Sequence, residues 1–191
     1  KSGKEVIFTA IKHASIRITY EGKEIEVDPV RALKPTTDYS RFPKADYILV
    51  THEHFDHCDT AAIRQLEKPT TVIVTNANCA KIIDKSKAMY NGDHMKLADD
   101  ITIDAVPAYN TTPGKEKYHP KGRDNGFILT LDGFRVYISG DTEDIPEMRN
   151  IKNIDVAFLS TNQPFTMTPE QTARAAKTIK PKVLYPYHYS D

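Results

Sequence analysis

The chain is short of cysteine, of charge imbalance and of long apolar runs, and each shortage closes a class of function. Two cysteines, Cys58 and Cys79, cannot build a disulfide framework, and neither belongs to a CxxC pair. No apolar stretch approaches the roughly 20 residues that a bilayer-spanning helix needs, so no membrane partner is expected. Basic and acidic residues balance at 26 each among 191 residues. Proteins that grip nucleic acid usually carry a basic excess, so no nucleic-acid partner is expected either. Low-complexity segments and short-period repeats are also missing. At this length, with 39% hydrophobic residues, one ordinary core is expected, and residues 1–191 read as a single domain. The chain begins at Lys1 rather than Met. We expect a processed or trimmed product, which leaves cytoplasmic and exported locations both open. Oligomeric state is open too.

Apolar periodicity outlines the fold. Residues 6–11 read as a short buried strand, and 15–29 as a hairpin with one wet face, turning at Glu21-Gly22-Lys23. Residues 46–50, 71–75, 101–106 and 155–160 read as strands, and 126–139 as two strands around Asp132-Gly133. Residues 182–188 read as a last strand ending in His188. Helices are predicted over 59–67 with Asp59 as N-cap, over 77–85 with Asn76 as cap, and from Thr168-Pro169-Glu170-Gln171, which has the capping-box pattern. Strands and helices alternate but hairpins interrupt them. This mixture predicts two mainly β layers with helices outside rather than a doubly wound parallel sheet.

Three of the seven histidines stand in one stretch, "VTHEHFDHCD" at 50–59. His52, His54, Asp56 and His57 fall within six residues directly after a strand, where a turning backbone can aim several side chains at one point. Imidazole and carboxylate suit zinc and other first-row divalent ions, whereas calcium would want more oxygen. Asp141 follows the strand of 134–139, and His188 ends the last strand. If these strands share a sheet, their ends form one rim with the cluster. Six ligands exceed the three protein groups of a single catalytic zinc, so the count favours two metals. Beside the cluster, Cys58 reads as a small residue at a helix start.

"HEHFDH" resembles the H-x-H-x-D-H signature of the metallo-β-lactamase-fold hydrolases. "ISGDT" at 138–142 is similar to their second motif, and the strand carrying His188 to their closing one. The loop "VPAYNTTPGKEKYHPKG" at 106–122 resembles a branch near the ascorbate-6-phosphate lactonase-like proteins. The resemblance implies an α/β fold of α+β type, a four-layer αββα sandwich. It implies hydrolysis of an ester, lactone, amide or phosphoester by a hydroxide held between two divalent ions, zinc first, with manganese or iron as alternatives. His52 and His54 would hold the first ion with a third histidine, Asp56, His57 and His188 the second, and Asp141 would bridge. His94 and His119 both lie between the cluster and Asp141; the family places this ligand in the long loop, which selects His119. Asp56 would also orient the hydroxide and serve catalysis by carrying a proton to the leaving group. The family usually has glycine before the histidine matching His13, and here Lys12 stands there, so His13 is placed near the site but not as a ligand. Asn110 is also placed near the site, with Tyr109, as a substrate-positioning or turn residue. Asp28 reads as a strand end, with a supporting role toward a ligand histidine as the alternative.

Where relatives often carry a glycine-rich segment this chain has "STNQPF" (160–165), and it stops three residues after His188 where relatives often continue, so a lid segment is expected to be missing. Lys115, Lys117, Lys121 and Arg123 make the loop around His119 basic, which suits a small anionic substrate. A di-iron redox enzyme on the same fold, a nuclease or phosphodiesterase, and a non-catalytic module are the other readings.

Overall fold

The computed structural model describes residues 3–189, which divide into two compact units, residues 3–89 and residues 90–189. Each is built on one six-stranded mixed sheet.

In the first unit the strands are β1 (Val6–Lys12), β2 (Ser15–Tyr20), β3 (Lys23–Val27), β4 (Tyr47–Val50), β5 (Val72–Thr75) and β6 (Lys87–Ala88), paired in sequence order. The first two pairings are antiparallel and the rest parallel. The hairpin turn is at Glu21-Gly22, both at positive φ. Helix α1 (Thr60–Leu66) is capped as its sequence predicts: the Asp59 carboxylate accepts from the Ala61 and Ala62 amides. Its Ala62, Ile63 and Leu66 belong to one buried cluster with Ile48, Val50, Ile73 and Tyr39, the alternate residues of the strands meeting one stripe of the helix.

Three local expectations are corrected. Strand β1 is an edge strand with no buried residue, its residues being half-buried or exposed. Residues 77–85 form only a single 3-10 turn at Cys79–Lys81, whose N-cap is Asn78 without a side-chain cap bond, while Asn76 Oδ1 accepts the Cys79 amide at 2.9 Å. Lys85 at positive φ then redirects the chain into β6. The wet face of the hairpin is partly covered: Glu26 is wholly buried, and neither carboxylate oxygen has a hydrogen-bond partner. Arg17 across the strand pair is engaged by Glu24 at 2.7 and 2.8 Å.

Burial pushes the Glu26 carboxyl up to about 8, with Arg17 acting in the opposite direction. Between pH 4.5 and 8 the unfolded chain therefore releases a proton that the folded chain keeps, so stability falls as pH rises through this window. Glu26→Gln is expected to remove about 3 kcal/mol of the stability difference between pH 5 and pH 8, read by urea unfolding at both values.

The second unit holds β7 (His94–Ala98), β8 (Ile101–Ala108), β9 (Asp124–Leu131), β10 (Phe134–Ile138), β11 (Val156–Ser160) and β12 (Val183–Tyr187), again paired in sequence order. The first three pairings are antiparallel, and the last two parallel. Helix α2 (Pro169–Ile179) opens with the complete Thr168–Gln171 capping box. Its Ala175 and Ile179 are buried with Tyr137, Ala157, Leu159 and Met148. Because β8, β10, β11 and β12 all run the same way, their C-terminal ends lie along one edge of the sheet.

Gly126 in β9 marks a close approach: a Cβ there would meet the Ser139 carbonyl oxygen at 2.7 Å and that of Ile138 at 3.0 Å. Both obstacles are backbone, so Gly126→Ala must shift the strand that leads into Asp141. A loss of about 2 kcal/mol is expected in urea unfolding.

Candidate metal centre

The "HEHFDH" segment leaves β4 at the end where β3 also finishes and where β1 turns into β2. Parallel pairing of β3 with β4 sets Asp28 beside Thr51 and His52. Asp28, fully buried and at positive φ, accepts the Thr51 amide at 2.7 Å, the Thr51 hydroxyl at 2.8 Å and the His57 ring at 2.9 Å. These contacts fix tautomers. A carboxylate only accepts, so His57 carries its proton on Nδ1 and presents the Nε2 lone pair. The Thr51 hydroxyl gives its proton to Asp28 and so accepts from His52 Nδ1 at 3.0 Å, which presents His52 Nε2 likewise. His52 Nε2 then faces His54 Nδ1 at 3.0 Å, two nitrogens converging on one point. Asp56 Oδ2 lies 2.9 Å from His13 Nε2 and 3.8 Å from His57 Nε2. Lys12 donates to the carbonyls of Arg31, Leu33 and Pro35 at 3.2, 2.5 and 2.8 Å, tying the 31–35 loop to the strand end that carries His13.

In the second unit Asp141 follows β10, His188 follows β12, and His119 lies in the loop after β8. All three are buried. His119 Nε2 stands 3.3 Å from Asp141 Oδ2, and His188 Nε2 stands 3.3 Å from Asp141 Oδ1. The His119 tautomer is set by a backbone carbonyl: Nδ1 donates to Phe165 O at 3.1 Å, presenting Nε2 to Asp141. The Tyr187 hydroxyl accepts the Gly140 amide at 3.1 Å and so pins the turn that presents Asp141. Thr142 and Glu143 fasten the start of the His119 loop. Thr142 Oγ1 accepts the Tyr109 amide at 3.1 Å, and Glu143 Oε2 accepts the amides of Thr111 and Thr112 at 2.8 and 2.7 Å. Burial opposes ionisation of Glu143, but the bonds from Thr112 and Thr111 outweigh it and hold the carboxyl below its ordinary value.

Two donors each about 2.0–2.1 Å from a tetrahedral ion lie about 3.3 Å apart. The Asp141 pairs match that spacing, with one imidazole nitrogen at each carboxylate oxygen, and the donor set is the nitrogen and oxygen mixture that zinc, manganese and iron accept. The residues therefore fit a divalent metal.

The expectation of one shared sheet is corrected: β4 belongs to the first unit's sheet, and β10 and β12 to the second's. Within one sheet, strand ends bring together Asp141 and His188. His94 lies on β7, exposed, and its Nδ1 pairs with Asp104 at 2.6 Å. Asn110 fastens the loop, its amide donating to Phe165 O at 2.7 Å and Lys115 O at 3.3 Å. Thr51, Glu143 and the Phe165 carbonyl were not singled out from the sequence. Only Thr51 carried a signal, its position directly before His52.

The beta-lactamase superfamily domain profile matches residues 8–188. A UPF0173 metal-dependent hydrolase of Ligilactobacillus salivarius is 33% identical, the match covering 93% of this chain and 82% of the relative. The chain belongs to the UPF0173 metal-dependent hydrolases of this superfamily. Among solved structures, a metal-dependent hydrolase from Parabacteroides distasonis is 57% identical with a TM-score of 0.96, covering 100% of this chain and 85% of that one. A metallo hydrolase from Ignicoccus hospitalis is 27% identical with a TM-score of 0.80, covering 97% and 83%. The chain is thus a metal-dependent hydrolase with the metallo-β-lactamase fold expected from its sequence, and the His and Asp residues above are a set able to bind metal. Among the described residues no helix is long and apolar enough to cross a membrane.

Proposed function

We propose that the chain acts as a single domain that hydrolyses an ester, lactone or phosphoester of a small anionic substrate at a dinuclear metal centre. His52, His54 and His119 would hold one ion, Asp56, His57 and His188 the other, and Asp141 both. The observation that carries this reading is Asp141, buried, with a different imidazole Nε2 at 3.3 Å from each of its oxygens. A carboxylate that meets a different imidazole at each of its oxygens is placed to bridge two ions, one on each side. Bound divalent ions supply Lewis acidity and bring the pKa of a coordinated water from 15.7 to about 7.

The remaining work belongs to the chain. The Asp28–Thr51 network keeps His52 and His57 in the tautomers that offer Nε2, so no reorganisation precedes binding. Asp56, with its side chain 20% exposed, is more open than the buried histidines and can reach a leaving group. Oriented by His13, which lies 2.9 Å from its Oδ2, the Asp56 carboxylate would take the proton given up by the attacking water and pass it to the departing oxygen. His13 orients that carboxylate and is not counted as a ligand.

Elemental analysis of the purified protein tests the reading. The expected result is close to two zinc or manganese per chain, with acid release from a panel of lactones and phosphoesters. Trace metal after reconstitution overturns it. Two irons with oxygen consumption dependent on an electron donor overturn the hydrolytic chemistry in favour of a redox reaction.

A further inference from the structure

The loop of "STNQPF" at 160–165 has a structure that gives it a use. Residues 162–166 are locked on themselves: the Asn162 amide donates to Thr166 Oγ1 at 2.7 Å, the Thr166 amide returns to Asn162 O at 2.7 Å, and Gln163 Nε2 donates to Thr166 O at 2.7 Å. This rigid turn points the Phe165 carbonyl at His119 and Asn110, and leaves the Phe165 ring 41% exposed. Tyr118, the residue directly before His119, sets its ring edge-to-face against Phe165, with centroids 5.0 Å apart at 77°. Two aromatic rings are thus joined to one candidate ligand, the first by a peptide bond and the second by a hydrogen bond. Rings held this firmly have little rotamer entropy left to lose on binding, which is how aromatic anchors act at recognition sites.

Charge around the rings is selective too. Of the four basic residues in the His119 loop, Arg123 is matched by Asp124 through bonds of 2.6 and 2.8 Å, and Lys121 by Glu147 at 2.9 Å. Lys115 bonds instead to the neutral Gln163 side chain at 2.7 Å, and Lys117 lies over the Tyr118 ring at 5.2 Å from its centroid. The positive charge available to a ligand therefore stands beside the rings rather than along the whole loop.

We infer that Tyr118 and Phe165 form a specificity wall that takes the apolar or aryl part of the substrate, while Lys115 and Lys117 take its anionic group. The preferred substrates are esters or lactones that carry an acid group and a ring or short acyl chain, rather than small wholly polar sugar phosphates. The inference rests on the proposed hydrolysis at this site, but its test does not depend on turnover.

Binding of phenylphosphonate and of methylphosphonate to the purified protein is measured by calorimetry, with metal content recorded on the same sample. The two probes share the anion, so their ratio reports the ring alone. The wild type is expected to prefer phenylphosphonate by about tenfold. Phe165→Ala and, separately, Tyr118→Leu should bring the ratio toward one while metal content stays unchanged, and methylphosphonate affinity should stay unchanged in Phe165→Ala, which leaves both lysines and the Tyr118 ring in place. Lys117→Gln should weaken phenylphosphonate and leave the neutral probe benzyl alcohol unaffected. A wild-type ratio near one, or a ratio untouched by both aromatic variants, overturns the wall. A metal-free protein that keeps the tenfold ratio overturns the hydrolase reading and not the wall.

Discussion

Asp141→Asn is expected to lower bound metal from two ions per chain to less than one and to reduce hydrolysis at least about 10³-fold. The substitution keeps the shape of the side chain but replaces a charged oxygen with an amide that donates. His119 Nε2 and His188 Nε2 each stand 3.3 Å from an Asp141 oxygen, and both buried rings lose the anion that they share. The amide oxygen that remains is neutral and holds a divalent ion weakly, and an amide nitrogen does not ligate zinc or manganese at neutral pH, so both sides of the bridge are weakened. Elemental analysis reads the first effect, and turnover of the best lactone or phosphoester the second. Retention of two ions would show that Asp141 is not a bridge and would remove the central support of the dinuclear proposal. The contrast with Asp56→Asn is informative: Asp56 belongs to one side only, so one ion should remain.

Removal of Asp28 is expected to act on stability and metal affinity together. Asp28 accepts three hydrogen bonds within 2.9 Å, from the Thr51 amide, the Thr51 hydroxyl and His57 Nδ1, at a fully buried position. Asp28→Ala leaves a buried amide, hydroxyl and imidazole without their acceptor. Breaking a buried network of this kind costs about 3–5 kcal/mol, and loss of the group that orients a ligand histidine weakens metal binding about 10–100-fold. Asp28→Asn separates the two effects. Its amide can still accept from Thr51 but competes with His57 as a donor, so metal affinity should fall further than stability. Urea unfolding of the apoprotein and zinc competition with a chelator give the two quantities. Equal zinc affinity in Asp28→Asn and wild type would show that His57 needs no help in choosing its tautomer.

Much of this was legible in the sequence because the signals are local. Helix starts at Asp59 and Thr168 are capped by side chains two or three residues away, and such bonds depend on little else. The hairpins at Gly22 and Gly133 are fixed by the backbone freedom of the turn itself. The spacing of His52, His54, Asp56 and His57 is equally local, and it named metal chemistry before any fold was known.

Tertiary structure decided what sequence distance hides. Glu26 alternates like a surface residue yet is sealed from water, because periodicity reports which side of a strand a residue takes and not whether that side is covered. Residues 77–85 had helical composition but make only the 3-10 turn Cys79–Lys81 before Lys85, at positive φ, redirects the chain toward β6. Asp28 and Thr51 are 23 positions apart, and only the parallel pairing of β3 with β4 makes them neighbours. Likewise, the carbonyl of Phe165 reaches back 46 positions to orient His119. A backbone carbonyl has no residue type to recognise, so no reading of the sequence alone could assign it that role. Residue chemistry thus determined what the site is made of. The order and direction of the strands decided which groups orient it.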